Sequence, residues 1–75
     1  MLIASQCRAA RALLDISRDT LADRASVSSR TIADFESGKR EPINATKAAI
    51  RSALELAGVE FLPENGGGAG VRLRK

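Results

Sequence analysis

A mostly α fold, a bundle of four helices closed by a short C-terminal strand pair, is what this sequence predicts. Three observations lead there. Apolar residues recur at three- and four-residue steps, and most of them are Ala and Leu. Aromatics are nearly absent, with Phe35 and Phe61 the only two, which favours helices packed closely through small side chains over a β-sandwich. Finally, Ser, Gly and Pro punctuate the periodic segments where helices would start and stop.

The first helix is expected over residues 4–14, started by Ser5 or an earlier residue. Cys7, Ala10, Leu13 and Leu14 form its apolar side, and Arg8 and Arg11 lie on the other face. Asp15 and Ile16 connect to Ser17, whose hydroxyl suits an N-cap. Asp19 then falls in the first turn, where the helix dipole favours an acid. The second helix runs from about Arg18 to Ala25 and buries Leu21, Ala22 and Ala25. Ser26-Val27-Ser28 breaks it, and Ser28 caps a third helix that reaches about Ser37, with Ile32 and Phe35 facing inward. Gly38 is placed to end that helix.

Lys39-Arg40-Glu41-Pro42 reads as a loop, because Pro42 cannot continue a helix. Asn44 is expected to cap the fourth helix, which runs to about Ala57 and stops at Gly58. Ala49, Ile50, Ala53, Leu54 and Ala57 make it the clearest amphipathic segment. Beyond it, Val59–Leu62 and Val71–Arg74 have strand character. They pair either as a hairpin with an eight-residue loop or each with its counterpart in a second subunit.

With 75 residues the chain holds one domain's worth of core, and such a domain buries only about 60% of the surface its unfolded chain exposes. There is little room for a deep substrate cleft. The formal charge of +3 and pI near 9.8 permit a nucleic-acid partner without establishing one. Cys7 is the only cysteine, so no intrachain disulfide is possible and a reduced, cytoplasmic setting fits. No apolar run approaches the roughly 20 residues of a membrane span, and Arg8 and Arg11 interrupt what would be a signal peptide. The absence of His, of Tyr and of any metal-ligand or nucleophile–base cluster argues against an enzyme, and no cofactor or metal is implied. Glu64 to Gly70 lacks the Gly-Lys-Ser/Thr ending of a nucleotide loop and reads as a turn.

The second and third helices carry the most specific signal. They are short, small residues fill the turn between them, and Val27 is placed to plug the angle. Ala22 leaves room for a close approach. Such a pair crosses steeply and leaves its second helix protruding, in a shape the major groove admits. The run from Ser17 to Ile32, continued by Phe35-Glu36-Ser37-Gly38-Lys39-Arg40-Glu41-Pro42 and Thr46, resembles the Cro/repressor helix-turn-helix of the XRE family over residues 6–57. The Leu-Ala pair, the Val-Ser turn, the Thr-Ile step and the Glu-x-Gly-Lys-Arg-x-Pro exit coincide.

The resemblance implies a lambda-repressor-like fold and a bacterial regulator in the cytoplasmic, nucleoid-associated pool. It would bind a palindromic operator in double-stranded DNA as a homodimer. The third helix, residues 28–37, would lie in the major groove with Ser29, Arg30 and Asp34 as base contacts. Arg18, Ser28, Thr31, Ser37, Lys39 and Arg40 would contact phosphate. Asp34 is equally suited to pair with Arg30 at i,i+4. Ser26 stands where the family prefers Gly, tolerable if the backbone there is not strongly left-handed. An acid beside DNA is repelled by phosphate, so Glu36 is expected to make an internal salt bridge or to bond to backbone, with Arg11 as a candidate partner. Cys7 is expected to be a small buried residue.

On this basis residues 1–58 form the DNA-binding domain, and 59–75 a strand-forming extension for dimerisation or packing. Arg72, Arg74 and Lys75 fit a solvated strand edge. The competing function is a protein-interaction module, such as the antitoxin half of a toxin–antitoxin pair whose tail binds a partner protein.

Overall fold

The computed structural model describes residues 2–63 and 68–74. Four helices and two strands follow one another: α1 (Ala4–Leu14), α2 (Arg18–Ala25), α3 (Ser29–Ser37), α4 (Asn44–Leu56), β1 (Val59–Leu62) and β2 (Gly70–Leu73). This is the expected four-helix bundle with a strand pair, and α1, α2 and α3 have the expected bounds.

The first three helices end in the same way. At Asp15, Ser26 and Gly38 the backbone turns left-handed, with φ of 56°, 59° and 81°. The next amide then reaches back to a carbonyl in the last turn: Ile16 to Arg11 at 3.1 Å, Val27 to Ala22 at 3.0 Å, Lys39 to Asp34 at 2.9 Å. These are Schellman closures, which satisfy otherwise orphaned carbonyls. After the first two, the following apolar residue, Ile16 or Val27, packs against the core. A Ser N-cap comes next each time. Ser17 Oγ accepts from the Thr20 amide at 3.0 Å, and Ser28 Oγ from the Thr31 amide at 3.1 Å. One three-residue connection therefore serves both α1–α2 and α2–α3, and it directs both helices from the same local chemistry.

At Ser26 the tolerance condition fails. The backbone is fully left-handed, with φ 59° and ψ 41°, so Ser sits where Gly is unstrained. Of the other two helix starts, the first lies within expectation and the second does not. Ile3 is the N-cap of α1, and its amide donates to Gln6 Oε1 at 3.1 Å. Ile43 rather than Asn44 precedes α4, Asn44 is already helical, and no side chain caps that helix.

Phe35, Leu21, Ile32, Ile50, Leu54, Val59 and Cys7 are fully buried at the centre, with Ala10, Ala22, Ala25 and Ala53 between the helices. Each large aliphatic or aromatic side chain buried this way contributes about 1.5–3 kcal/mol. The apolar side of α1 is narrower than its period suggested, since Leu13 is substantially exposed while Cys7 and Ala10 are buried. Nor do Arg8 and Arg11 point away from the bundle: both bond to Glu36 of α3. On α4, Lys47 is buried and ion-paired to Glu41, which ties the loop before α4 to its first turn.

The strands pair within the chain, antiparallel, with Val59 opposite Leu73 and Phe61 opposite Val71. Gly70 joins β2 opposite Leu62, so that strand begins one residue before Val71. Val59 reaches the core, Phe61 and Val71 pack against it, and the Gln6 side-chain amide donates to the Gly70 carbonyl at 3.3 Å. On the other face Arg72 pairs with Glu60 at 2.9 Å, as suits a solvated strand. Arg51 lies 4.8 Å over the Phe61 ring and closes the hairpin onto α4. Residues 64–67 of the Gly-rich turn, and Lys75, lie outside the described residues.

Candidate nucleic-acid interface

The site is built on α3. That helix buries Ile32, Phe35 and Glu36, spaced at i, i+3 and i+4, against the rest of the bundle. The opposite side of a 3.6-residue helix then carries Arg30, Asp34 and Ser37. Arg30 is 78% exposed, and its Nε lies 3.6 Å from Asp34 Oδ2. The pairing at i,i+4 is thus present. Asp34 is mostly covered, at 17% exposure, and its main-chain carbonyl gathers the turn that follows. It accepts from the amides of Lys39 and Arg40 at 2.9 and 3.2 Å and from Ser37 Oγ at 3.3 Å.

A concavity of about 590 Å³ opens between the start of α3 and the start of α4. Arg30, Asp34 and Arg40 give it charge, Ser28, Thr31 and Thr46 give it hydroxyls, and Val27 and Pro42 are its apolar residues. Five of the nine anticipated contact residues line it: Ser28, Arg30, Thr31, Asp34 and Arg40. Arg18, Ser29, Ser37 and Lys39 are exposed but lie outside it. The Ser28 and Thr31 hydroxyls are 2.9 Å apart, and Ser28 also caps α3, so helix capping already uses part of their bonding capacity. The sequence names neither Thr46 nor Pro42 as a contact residue. Thr46 belongs to the pattern that carries the resemblance, and that was the available signal.

A buried ionic knot holds α3 from behind. Arg11 Nε and Nη2 each donate at 2.8 Å to Glu36, one to each carboxylate oxygen, and Arg11 Nη1 donates to the Ile16 carbonyl at 3.1 Å. Arg8 bonds the Glu36 main-chain carbonyl, and the Cys7 thiol donates to Glu36 Oε2 at 3.1 Å. Burial alone would raise the Glu36 pKa. The hydrogen bonds from Arg11 and Cys7 and the charges of Arg11 and Arg18 outweigh it, so the carboxyl sits below its ordinary value. Burial, followed by the bond to this carboxylate, pushes the Cys7 thiol far up and keeps it protonated. The salt bridge expected for Glu36 is present, and Cys7 is the small buried residue expected.

Residues 8–42 match the family model described as Helix-turn-helix. Residues 8–42 therefore carry a helix-turn-helix, and the match supports the XRE type. The match takes in most of α1, all of α2 and α3, and the exit loop as far as Pro42. It therefore includes all nine anticipated contact residues, whereas α4 and the hairpin lie beyond it. A helix-turn-helix of this kind is a DNA-binding domain of transcriptional regulators. No curated protein matches the chain. Among the described residues, no helix is long and apolar enough to cross a membrane.

Proposed function

We propose that this helix-turn-helix protein is a sequence-specific transcriptional regulator that reads DNA with α3 in the major groove. One observation carries the reading: α3 is anchored by its buried face and by Glu36, while its outer face presents an exposed Arg30. A guanidinium there can donate to O6 and N7 of guanine together. Ser29 adds a short polar contact to a base or a phosphate. Arg18, Ser28, Thr31, Ser37, Lys39 and Arg40 surround that face and contact phosphate, fixing register rather than sequence.

Two copies would place their recognition helices about 34 Å apart on a palindromic operator. Residues 1–58 serve as the DNA-binding domain and 59–75 as the extension that packs on it or joins a second copy. Occupying the operator then blocks or assists polymerase.

The test is fluorescence anisotropy with a labelled duplex from upstream of the protein's own gene, titrated across a salt series beside an unrelated duplex. Each neutralised phosphate adds about −0.9 to the slope of log affinity against log salt. Tight binding to the upstream duplex, weak binding to the unrelated one, and loss of the difference in Arg30→Ala support the reading. No binding to either duplex at low salt overturns it.

A further inference from the structure

We propose that Asp34 is the specificity-setting residue of this interface and acts through Arg30, orienting its guanidinium instead of touching a base. The inference rests on the DNA-binding reading above and refines it. Three features of α3 carry it. The Asp34 carboxylate faces the Nε edge of Arg30 at 3.6 Å. Engaging a guanidinium from its Nε side leaves the terminal nitrogens as a free fork, the edge that matches guanine O6 and N7. The two residues also differ in exposure. Arg30 is 78% exposed, whereas Asp34 is 17% exposed on a helix whose last turn closes on its own carbonyl. The carboxylate is therefore the fixed member and the guanidinium the member being held. Both line the same concavity, where Arg40 supplies a second cation.

A second consequence follows from charge. A carboxylate on this face repels phosphate, so Asp34 weakens binding to DNA of arbitrary sequence while sharpening the choice of base. Removing it changes the two properties in opposite directions. An acid whose role is only to stabilise the helix would leave base preference unmoved. An acid that accepted from a cytosine amino group would impose a preference at a base step of its own.

The experiment is in vitro selection from randomised duplex pools with the full chain, comparing wild type, Asp34→Asn, Arg30→Lys, Arg30→Ala and the Asp34→Asn/Arg30→Ala double variant. Circular dichroism verifies that each is folded. Wild type should enrich guanine at one step per half-site, with the roughly 5- to 150-fold discrimination of a bidentate contact. Asp34→Asn should flatten that same step to within about threefold and bind unselected duplex more tightly. Arg30→Lys, which keeps the charge and loses the fork, should flatten the same step. The double variant should select no differently from Arg30→Ala. A loss in Asp34→Asn at a different step, or a further loss on top of Arg30→Ala, overturns the assignment and leaves DNA recognition by α3 standing. Unchanged selection by Asp34→Asn also overturns it alone. Failure of the wild-type chain to enrich any sequence or bind any duplex overturns both readings together.

Discussion

Arg11→Met is the most informative single change to the scaffold. The Glu36 side chain is 5% exposed and its Arg11 partner 22%. Two parallel N–H donors at 2.8 Å satisfy the two carboxylate oxygens. Without Arg11, that carboxylate keeps only the weak Cys7 thiol as a side-chain donor among the described residues, and the Ile16 carbonyl loses a partner as well. Breaking a buried pair from one side costs about 3–5 kcal/mol, because the remaining charge is left uncompensated. Arg11 retains some contact with water, so the lower end, about 3 kcal/mol, is expected. A 75-residue domain has roughly 4–11 kcal/mol in all, so the variant should be marginal.

Replacing both partners, as Arg11→Met/Glu36→Leu, removes the stranded charge and should recover all but about 1 kcal/mol. Urea unfolding followed by circular dichroism, extrapolated linearly to water, measures each corner of the cycle. A loss below about 1 kcal/mol in Arg11→Met would place the pair among ordinary surface ion pairs. A double variant no more stable than the single one would refute the buried-charge argument.

Further outcomes follow from the same geometry. Because the Glu36 carboxyl is held below its ordinary pKa in the folded state, its contribution is complete above the unfolded carboxyl range and is lost as pH falls through the folded value. The stability gap between wild type and Glu36→Gln should therefore be constant above roughly pH 5 and close at lower pH, as read by thermal melts. Ser26→Gly should raise stability by about 0.5–1 kcal/mol, since relief of a left-handed Ser exceeds the added chain entropy; a lower melting temperature would refute that ordering. Cys7 is fully buried and its thiol is held protonated, so iodoacetamide should label it only as fast as the domain unfolds. Labelling at the rate of a free thiol would contradict that placement.

Local chemistry made much of this protein legible from its residues. The Ser17 and Ser28 hydroxyls cap whichever helix follows them, and Gly38 ends α3, because each depends on atoms within a few residues. The periodic apolar positions marked the inner faces of α2 and α3 for the same reason. Glu36 pairs with Arg11 by a different logic: an acid near phosphate is repelled by it and turns to an internal partner, and α1 offers a cation. For the site, Arg30 is named by the resemblance to the family and by the fit of a guanidinium to guanine, and the structure leaves it exposed.

What the local pattern could not supply was decided by neighbours distant in sequence. Arg8 and Arg11 turn inward because α3 presents a carboxylate and a carbonyl to them, 25 to 28 residues away. Leu13 is exposed although it shares the apolar period of α1, and Lys47 is buried with Glu41 as its ion-pair partner. The hairpin closes within the chain because Val59 finds a place among core residues and Phe61 meets Arg51. The left-handed backbone at Ser26 shows the division most plainly. Sequence identifies a turn and names its residues; the left-handed angle at Ser26 belongs to the local Schellman closure, and the packing of Val27 against the core fixes that turn in the bundle. Short-range bonding therefore determined where the elements begin and end, and long-range packing determined which of their side chains remain free to meet DNA.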